Sequence, residues 1–411
     1  MQCGCDAPGL MPIEQAKQII WQTIKPVTET QLCALNCALD RIVASDIISP
    51  INVPAFDNSA MDGYALRYQD LDKSKTFKQV GKSFAGKPFS GALGEGECVR
   101  IMTGAEIPDG ANTVVMQENT QAVGSTISIL GEVKLGEAIR PAGGDISQGS
   151  ILLKAGKRIT AIDIGLLASV GLAQLNVYRK IKVAVFSTGD ELLVAGKQPQ
   201  PGHIYDSNGP MLVAMLNRLD AEVLDLGIIV DDRQSIANAF KQAAEFADCV
   251  ITSGGVSVGE ADYTRDILTE TGQVDFWKLA IKPGKPLAFG RLGKCIFFGL
   301  PGNPVSAAVT FEQIAAPALL LLAGGDVQPS LALTAKTRDG FRKKPGRTDF
   351  QRAYCHTDKN GQLWVESLGS QSSGVLSGFS TSNCYAVLEN QRGRVVAGEQ
   401  VSISLFDRIL T

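Results

Sequence analysis

The chain has 411 residues, of which 45% are hydrophobic and 20% charged, and its formal net charge is −3. This composition is ordinary for a soluble globular protein of several domains, and the small negative charge excludes a global basic field that would attract nucleic acid or an acidic membrane. Only two histidines, His203 and His356, are present, which argues against a histidine triad or a multi-histidine metal site. Any metal should therefore be a hard cation on oxygen ligands.

Nine cysteines are scattered without the paired spacing of a metal site. We interpret them as reduced thiols of a cytoplasmic protein, since no basic segment followed by an apolar one marks a secretory signal. The most apolar stretch, from Val305, contains Glu312 and Pro317. These residues predict a buried core helix rather than a membrane span.

The first 180 residues combine helices with an inserted β-rich region. Apolar residues at helical spacing predict helices over Met11–Ile24, Leu35–Leu39 and Ile162–Ser169. Between the last two of these, glycines become frequent and apolar runs are short, which indicates β-structure. We therefore expect a discontinuous helical domain, residues 1–50 and 141–179, interrupted by a β-rich domain, residues 51–140.

From residue 180 to residue 328, predicted strands alternate with helices. The strands are Lys182–Phe186, Val223–Val230, Cys249–Thr252 and Cys295–Leu300, and the helices are Met211–Leu219, Ser235–Phe246, Tyr263–Leu268 and Pro304–Leu322. This alternation is typical of a doubly wound α/β domain with a mostly parallel sheet. The remainder, residues 329–411, alternates apolar and polar residues around an Asn360–Gly361 hairpin signal, which predicts a small β-barrel or sandwich. The fold class is thus α/β plus β.

Polar and small residues follow the predicted strands of the α/β domain, at the sheet edge where ligands bind. They are Gly189, Asp190 and Glu191 after the first strand, Asp231 and Asp232 after the second, and Pro301, Asn303, Pro304 and Ser306 after the last. A turn stiffened by proline and glycine before the last strand carries Lys278, Lys282 and Lys285. Acids, lysines and backbone donors at one edge predict a single pocket.

The third of these strands leads into a loop of small residues and then a helix. The loop contains Ser253, Gly254, Gly255, Ser257 and Gly259, and Glu260 and Asp262 follow it. Glycines let backbone N–H groups approach a ligand, and a helix N-terminus favours an anion. The acids would repel that anion unless a cation or a proton lies between them, so the loop suggests a phosphate group held with a divalent metal. The alternative is a tight strand–helix connection whose acids cap the helix.

Two further motifs lie outside the sheet. The segment Pro54–Arg67 places Asp57, Asn58, Ser59 and Asp62 in one short loop, which is either functional or an Asx-rich turn. Near the end of the chain, Arg347 and Arg352 precede a group of serines around Ser373. Arginine with hydroxyl groups is anion-binding chemistry, although a surface ion pair is the usual role of an arginine on a strand.

Together these motifs resemble those of the MoeA family, which is related to the C-terminal domain of gephyrin. The matching segments are FDNSAMDGYA, IMTGA, VAVFSTGDEL, YDSN, SGGVSVGEADYT, IKPGKP and GLPGNPVSA, and they occur in the family's order along nearly the whole chain. The resemblance implies an elongated homodimer of four-part subunits, with a cleft that joins the β-rich domain of one subunit to the last two domains of the other. It also implies the last step of molybdenum cofactor synthesis, in which molybdate is inserted into adenylylated molybdopterin with Mg²⁺ and AMP is released.

The resemblance also suggests roles for individual residues. The candidate catalytic residues are Asp57, Asp62, Glu191 and Asp262, and the candidate Mg²⁺ ligands are Glu191, Asp231 and Asp262. Molybdate would suit Lys282, Lys285, Ser306, Arg352 and Ser373. The other candidates for binding the adenylylated pterin are Thr103, Gly189, Asp190, Ser253, Gly254, Gly255, Ser257, Gly259, Lys278, Pro301, Asn303 and Pro304.

Two other functions remain open at this point. One is a molybdopterin adenylyltransferase, which would consume ATP, and the other is a non-catalytic pterin-binding scaffold. The insertion with its FDNSAMDGYA motif and the C-terminal barrel argue against the first, and the acids after the strands argue against the second. An adenylyltransferase and molybdoenzyme maturation factors are the expected partners, besides a second copy of the chain.

Overall fold

The computed structural model describes residues 9–255, 263–271, 273–328 and 331–410. The chain opens with α1 (Ile13–Thr23), β1 (Thr30–Ala34) and β2 (Ile47–Ile48). Helix α1 buries Ile13, Ala16 and Ile20, which confirms the predicted apolar stripe. The helix predicted over Leu35–Leu39 is wrong, because the chain forms only a 3₁₀ turn at Leu35–Cys37.

The β-rich insertion follows β2. Its strands are β3 (Asn58–Ser59), β4 (Gly63–Leu66), β5 (Thr76–Ser83), β6 (Glu97–Ile101), β7 (Thr113–Met116), β8 (Thr120–Val123), β9 (Thr126–Ile129) and β10 (Ile139–Arg140). Six of them form one sheet in the order β7-β4-β6-β5-β9-β8, and β3 pairs with β10 beside it. Tyr64, Leu66 and Phe77 lie in a small core of this region. The β-rich character predicted from short apolar runs is therefore confirmed.

After the insertion the chain returns to its first segment through β11 (Ile151–Leu153), α2 (Ala161–Ser169) and β12 (Gln174–Tyr178). Strand β11 pairs with β2 and β12 pairs with β1, both antiparallel. Helix α2 begins with a capping box in which Thr160 and Asp163 bond each other's backbone N–H. Residues on either side of the insertion thus pack into one unit, while the four domain boundaries themselves stay a prediction.

A six-stranded sheet forms the centre of the α/β region. The helices and strands of this region are β13 (Lys182–Thr188), β14 (Leu192–Leu193), β15 (Ile204–Tyr205), α3 (Asn208–Arg218), β16 (Glu222–Ile229), α4 (Arg233–Phe246), β17 (Cys249–Ser253), α5 (Tyr263–Thr271), β18 (Gln273–Lys278), β19 (Ile281–Lys282), β20 (Pro286–Leu292), β21 (Cys295–Leu300), α6 (Pro304–Thr310) and α7 (Ala316–Leu322). The sheet order is β16-β13-β17-β21-β20-β18.

The first four strands of this sheet are parallel to one another. Strand β20 runs antiparallel to both of its neighbours, β21 and β18. Strands β20 and β21 are joined by only Gly293 and Lys294, and so short a link permits only antiparallel pairing. The residues predicted as a lysine-bearing turn include the end of β18, an edge strand of this sheet, and the short strand β19. Consecutive residues such as Phe297 and Phe298 lie in separate apolar cores on the two faces, as a doubly wound sheet requires.

Helices α6 and α7 form one continuous helix through a π-helical turn at Phe311–Ala315. The stretch Pro304–Leu322 is long and apolar enough to cross a membrane, but 78% of it is buried inside the protein. The prediction of a core helix is confirmed.

The C-terminal region is a closed five-stranded β-barrel. It contains β22 (Leu333–Thr337), β23 (Thr348–Thr357), β24 (Leu363–Ser367), β25 (Cys384–Leu388) and β26 (Gln400–Leu405). The order β23-β24-β22-β26-β25 closes because β25 also pairs with β23. The predicted hairpin turn lies between β23 and β24, where Asp358 Oδ1 accepts from the N–H of Asn360 and Gln362 and Gly361 has φ 77°.

Candidate active site

A cleft of about 530 Å³ opens at the carboxyl ends of the four parallel strands. The described residues that line it are Ser187, Thr188, Gly189, Glu191, Leu192, Ile204, Tyr205, Asp206, Ser207, Asn208, Asp231, Ser253, Gly254, Gly255, Gly302, Asn303, Pro304 and Gly374. Eight of them are predicted site residues: Gly189, Glu191, Asp231, Ser253, Gly254, Gly255, Asn303 and Pro304. Parallel strands bring their carboxyl ends to one edge, and this is why residues far apart in sequence meet here.

The glycines after β17 are required by close packing of the loop against its neighbours. Gly254 and Gly255 have φ of 90° and 63°, which favour glycine. A Cβ on Gly254 would lie 2.8 Å from the carbonyl oxygen of Thr188, and one on Gly255 would collide with the hydroxyl of Thr264. The backbone can therefore line the cleft closely. The predicted site residues Ser257, Gly259 and Asp262 lie outside the described residues.

Asn208 joins two of the strand ends to the start of α3 and was not among the predicted site residues. Its Nδ2 donates to Ser253 Oγ and to the carbonyl oxygen of Gly302, each at 2.7 Å. Its own N–H donates to Asp206 Oδ1 at 2.9 Å, which holds the start of α3. The YDSN segment carries the signal for this residue, but a polar tetrapeptide between a short strand and a helix is more simply interpreted as an Asx turn.

Three acids, Asp190, Glu191 and Asp231, gather where β13 and β16 end. Partial desolvation and the neighbouring carboxylates of Asp190, Glu191 and Asp232 raise the pKa of Asp231. Asp232 instead caps α4 by accepting from Ser235 N at 2.9 Å, and hydrogen bonds from the hydroxyl and the N–H of Ser235 lower its pKa. Within the described ranges, no group of three histidine, cysteine or acidic side chains is arranged to hold a metal by itself.

The residues after β21 divide between the cleft and its supporting wall. Asn303 is the N-cap of α6 by backbone geometry without a side-chain hydrogen bond, and Pro304 occupies the first turn. Pro301 and Ser306 are buried and are not among the described residues lining the cleft. Val305 N donates to the carbonyl oxygen of Ser373 at 3.1 Å, so a loop of the barrel covers this helix N-terminus.

The three lysines of the IKPGKP region are exposed and lie away from the described lining of the cleft. Lys278 ends β18, and the carbonyl oxygen of Lys285 accepts from Leu279 N. Lys282 Nζ lies 3.5 Å from Asp349 Oδ2 and lines a second cavity, on the barrel. The predictions of Lys282 and Lys285 as molybdate ligands, and of Lys278 as a ligand of the pterin substrate, therefore remain untested.

Arg352 has a different environment from the one expected of an oxyanion ligand. Its side chain is 1% exposed and donates to the carbonyl oxygens of Val375 at 2.8 Å, Ser370 at 2.7 Å and Ser372 at 3.2 Å. Desolvation by burial lowers the pKa of its guanidinium. Arg352 thus holds the loop of residues 370–375, which presents Ser373 to α6 and Gly374 to the cleft.

The motif of the β-rich insertion forms a hydrogen-bonded loop of its own. Asp62 Oδ1 accepts from both the N–H and the hydroxyl of Thr103 at 2.8 Å, and these bonds lower the pKa of Asp62. Asp57 Oδ1 accepts from Ala142 N at 2.7 Å. The structure thus brings Asp62 and Thr103 into direct contact, and Asp57 lies on the same insertion. Among the described residues that line the cleft, none comes from residues 51–140.

Comparison with known proteins identifies related families along the chain. The MoeA N-terminal region (domain I and II) matches residues 11–171, the probable molybdopterin binding domain matches residues 184–320, and the MoeA C-terminal region (domain IV) matches residues 334–406. Two crystal structures of molybdopterin biosynthesis MoeA protein from Pyrococcus horikoshii are similar, at 32% and 27% identity with TM-scores of 0.80 and 0.84. Each covers 97% of this chain, and the chain covers 99% and 100% of them.

Curated relatives match over nearly the whole length. Molybdopterin molybdenumtransferase of Haemophilus influenzae is 46% identical over 403 residues, which are 98% of this chain and 100% of that protein. The enzyme of the same name from Bacillus subtilis is 33% identical and covers 96% of this chain, which in turn covers 94% of it. With this similarity over nearly its full length and the three matched regions in order, the chain belongs to the MoeA family.

Proposed function

We propose that the chain is a transferase of molybdenum cofactor biosynthesis that inserts molybdate into adenylylated molybdopterin and releases AMP. The observation that carries this proposal is the cleft, in which a glycine loop and acids from separate strand ends meet within the region matched by a molybdopterin binding domain. The Gly255 backbone suits the adenylate phosphate, because glycine lets a backbone N–H approach a ligand closely, whereas the N–H of Gly254 already donates to the carbonyl oxygen of Leu300 at 3.2 Å. Relatives named molybdopterin molybdenumtransferase support the same reaction.

Mg²⁺ is part of the proposal, and the acids of the cleft suit it. Mg²⁺ is usually bound by one or two carboxylates, with water and substrate phosphates completing its shell. Glu191 and Asp231 supply two carboxylates to one cleft, and the pKa of Asp231 is raised first by partial desolvation and then by the neighbouring carboxylates, whose repulsion a cation would relieve. When bound, Mg²⁺ would neutralise charge on the phosphate oxygens. Asp262, the third predicted ligand, lies outside the described residues.

We also propose that the chain acts as a homodimer whose site is shared between subunits. The N-terminal unit exposes large apolar side chains, with Ile162 83% exposed and Leu32 60% exposed, and this suits a covered interface. The motif with Asp57, Asp62 and Thr103 contributes nothing to the described lining of the cleft in its own subunit. A partner subunit could bring that motif to the cleft. We place this dimer in the cytoplasm, supplied by an adenylyltransferase and followed by molybdoenzyme maturation factors.

Measuring which nucleotide is released or consumed tests the reaction. Purified protein is given adenylylated molybdopterin and Mg²⁺, and AMP is quantified with and without molybdate. Molybdate-dependent AMP release is expected, and Asp231→Asn should reduce it because one of two carboxylates facing the phosphate and metal loses its charge. ATP consumption would instead indicate an adenylyltransferase, and neither activity would indicate a scaffold. The names of the curated relatives favour the transferase over both alternatives.

A further inference from the structure

A second cavity, of about 560 Å³, lies on the C-terminal barrel and shares no described lining residue with the cleft. We call it the barrel cavity. Its walls are turns at residues 339–342, 367–371 and 394–395, together with Lys282 and Gln351. Its volume falls within the range of small-molecule sites, roughly 300–1,000 Å³.

Positive charge dominates the lining of the barrel cavity. Lys282, Arg342 and Arg394 line it, against one acid, Asp339. Within the part of the chain that the structure describes, the guanidinium groups of Arg342 and Arg394 have neither an ion pair nor a hydrogen bond. Unpaired cations on the walls of a concave surface focus a positive potential into it, which attracts anions.

The residues behind the lining offset this charge only at Lys282, which pairs with the buried Asp349. Buried Lys343 donates to the carbonyl oxygens of Lys344 and Arg347, and burial together with the charges of Lys282 and Arg347 lowers its pKa. Asp349, the buried acid nearby, is shared between Lys282 Nζ at 3.5 Å and Gln351 Nε2 at 3.3 Å. The barrel cavity therefore retains an excess of positive charge.

We propose that the barrel cavity binds a compact polyanion with two phosphate-type groups, such as a diphosphate, through Arg342 and Arg394. A single tetrahedral oxyanion is only a few times larger than one water, roughly 30 Å³, and would leave most of the cavity to solvent. Two anionic groups would match two unpaired guanidinium groups that come from separate turns of the barrel. Guanidinium groups suit this role because each presents a planar set of donors to phosphate oxygens. The site is separate from the cleft and does not depend on the proposed transferase reaction.

Inorganic pyrophosphate is the probe for this proposal, titrated calorimetrically into the full chain in the presence of a chelator so that no divalent metal contributes. The double variant Arg342→Ala/Arg394→Ala should weaken binding at least tenfold, and binding by the wild type should fall more steeply with salt than binding by the variant. Lys359→Ala is the matched control, since it removes an exposed cation of the same barrel outside the cavity. Saturating AMP, which should occupy the cleft, controls for binding there. Pyrophosphate binding by Lys359→Ala, and by the wild type in the presence of AMP, should match that of the wild type alone.

Three results would overturn the proposal. Pyrophosphate is bound equally by the wild type and the double variant, saturating AMP abolishes its binding, or molybdate binds in the barrel cavity while pyrophosphate does not. The melting temperature of the double variant is measured first. If that variant is destabilised, Arg394→Glu replaces it, because a reversed charge on one exposed side chain should abolish binding without truncating two residues.

Discussion

Asn208 Nδ2 and Ser253 Oγ, 45 positions apart in sequence, are joined by a hydrogen bond of 2.7 Å across the floor of the cleft. The same Nδ2 also donates to Gly302 O, so one amide connects the ends of β17 and β21 to the start of α3. Asn208 is buried, and a buried donor that satisfies two acceptors has strict geometric requirements. The positions of the cleft-lining loops are thus coupled through a residue that is not itself a charged ligand.

Asn208→Ala should weaken binding of the adenylylated substrate and also destabilise the fold. The change leaves Ser253 Oγ and Gly302 O without their donor, and an unsatisfied buried group such as Ser253 Oγ costs about 1–3 kcal/mol. We expect the affinity for AMP, measured by calorimetry, to fall about tenfold or more. Asn208→Asp is the matched control for shape, and it should be as damaging because it places an acceptor against the carbonyl of Gly302. Wild-type affinity in both variants would show that the amide does not organise the cleft.

Arg352→Met should destabilise the protein and loosen the loop of residues 370–375. The substitution keeps an unbranched chain but removes the donors to the carbonyls of Ser370, Ser372 and Val375. Leaving such acceptors unsatisfied costs about 3 kcal/mol in total if they are partly rehydrated. Hydrogen exchange should show faster exchange in this loop without any ligand present.

Lys282→Met is the comparison for Arg352→Met, because Lys282 is an exposed cation that the sequence predicts as a ligand of the same molybdate. It should leave exchange in the loop unchanged. If Arg352→Met raises only the molybdate concentration needed for AMP release, and stability and exchange stay at wild-type values, Arg352 is a ligand rather than a support.

Glu312 should make stability depend on pH below neutrality. It is 8% exposed on the π-helical turn, and burial raises its pKa to about 7, with Tyr385 and the backbone of Asp407 partly opposing the shift. A folded-state pKa above the unfolded value favours the protonated form, so the free energy of unfolding falls as pH rises from about 4.5 to about 7. The difference of about 2.5 pH units corresponds to roughly 3 kcal/mol.

Glu312→Gln removes this titration while keeping the shape of the side chain. Relative to the wild type, we expect a similar melting temperature at pH 4.5 and a higher one at pH 7.5. Tyr385→Phe is a control that leaves the carboxyl in place, and it should keep the slope and extend it to higher pH, because Tyr385 opposes the rise in the pKa of Glu312. A Gln variant with the wild-type pH profile would show that folding does not raise the pKa of Glu312.

A shared site predicts complementation between two inactive subunits. Asp62→Ala alters the motif of the insertion, and Asp231→Asn alters the cleft. In a mixed dimer one site carries both defects and the other carries neither. Because random exchange makes half of the dimers mixed, about a quarter of wild-type AMP release should return. Subunit exchange is verified with differently tagged chains. If exchange occurs and activity stays absent, the two motifs either act within one subunit or do not form one site.

The sequence by itself determined the class of fold and much of the cleft. Alternating strand and helix patterns require a doubly wound sheet, and a parallel sheet necessarily brings Gly189, Glu191, Asp231 and Asn303 to one edge. The apolar stretch of Pro304–Leu322, interrupted by Glu312, was sufficient to identify a core helix. These features are local patterns or direct consequences of sheet geometry, and neither depends on how distant surfaces meet.

Only the tertiary structure decided which cations are free and which polar groups are occupied. Arg352 and Lys282 have similar signals in the sequence, yet one is buried against three carbonyl oxygens and the other lines the barrel cavity. Asn208 gains its role from Ser253 and Gly302, which lie 45 and 94 positions away. Burial and hydrogen-bond partners depend on long-range packing, and residue type and spacing do not encode them. The residue types at the strand ends were therefore predictable, whereas the hydrogen bonds that hold the surrounding loops in place were not.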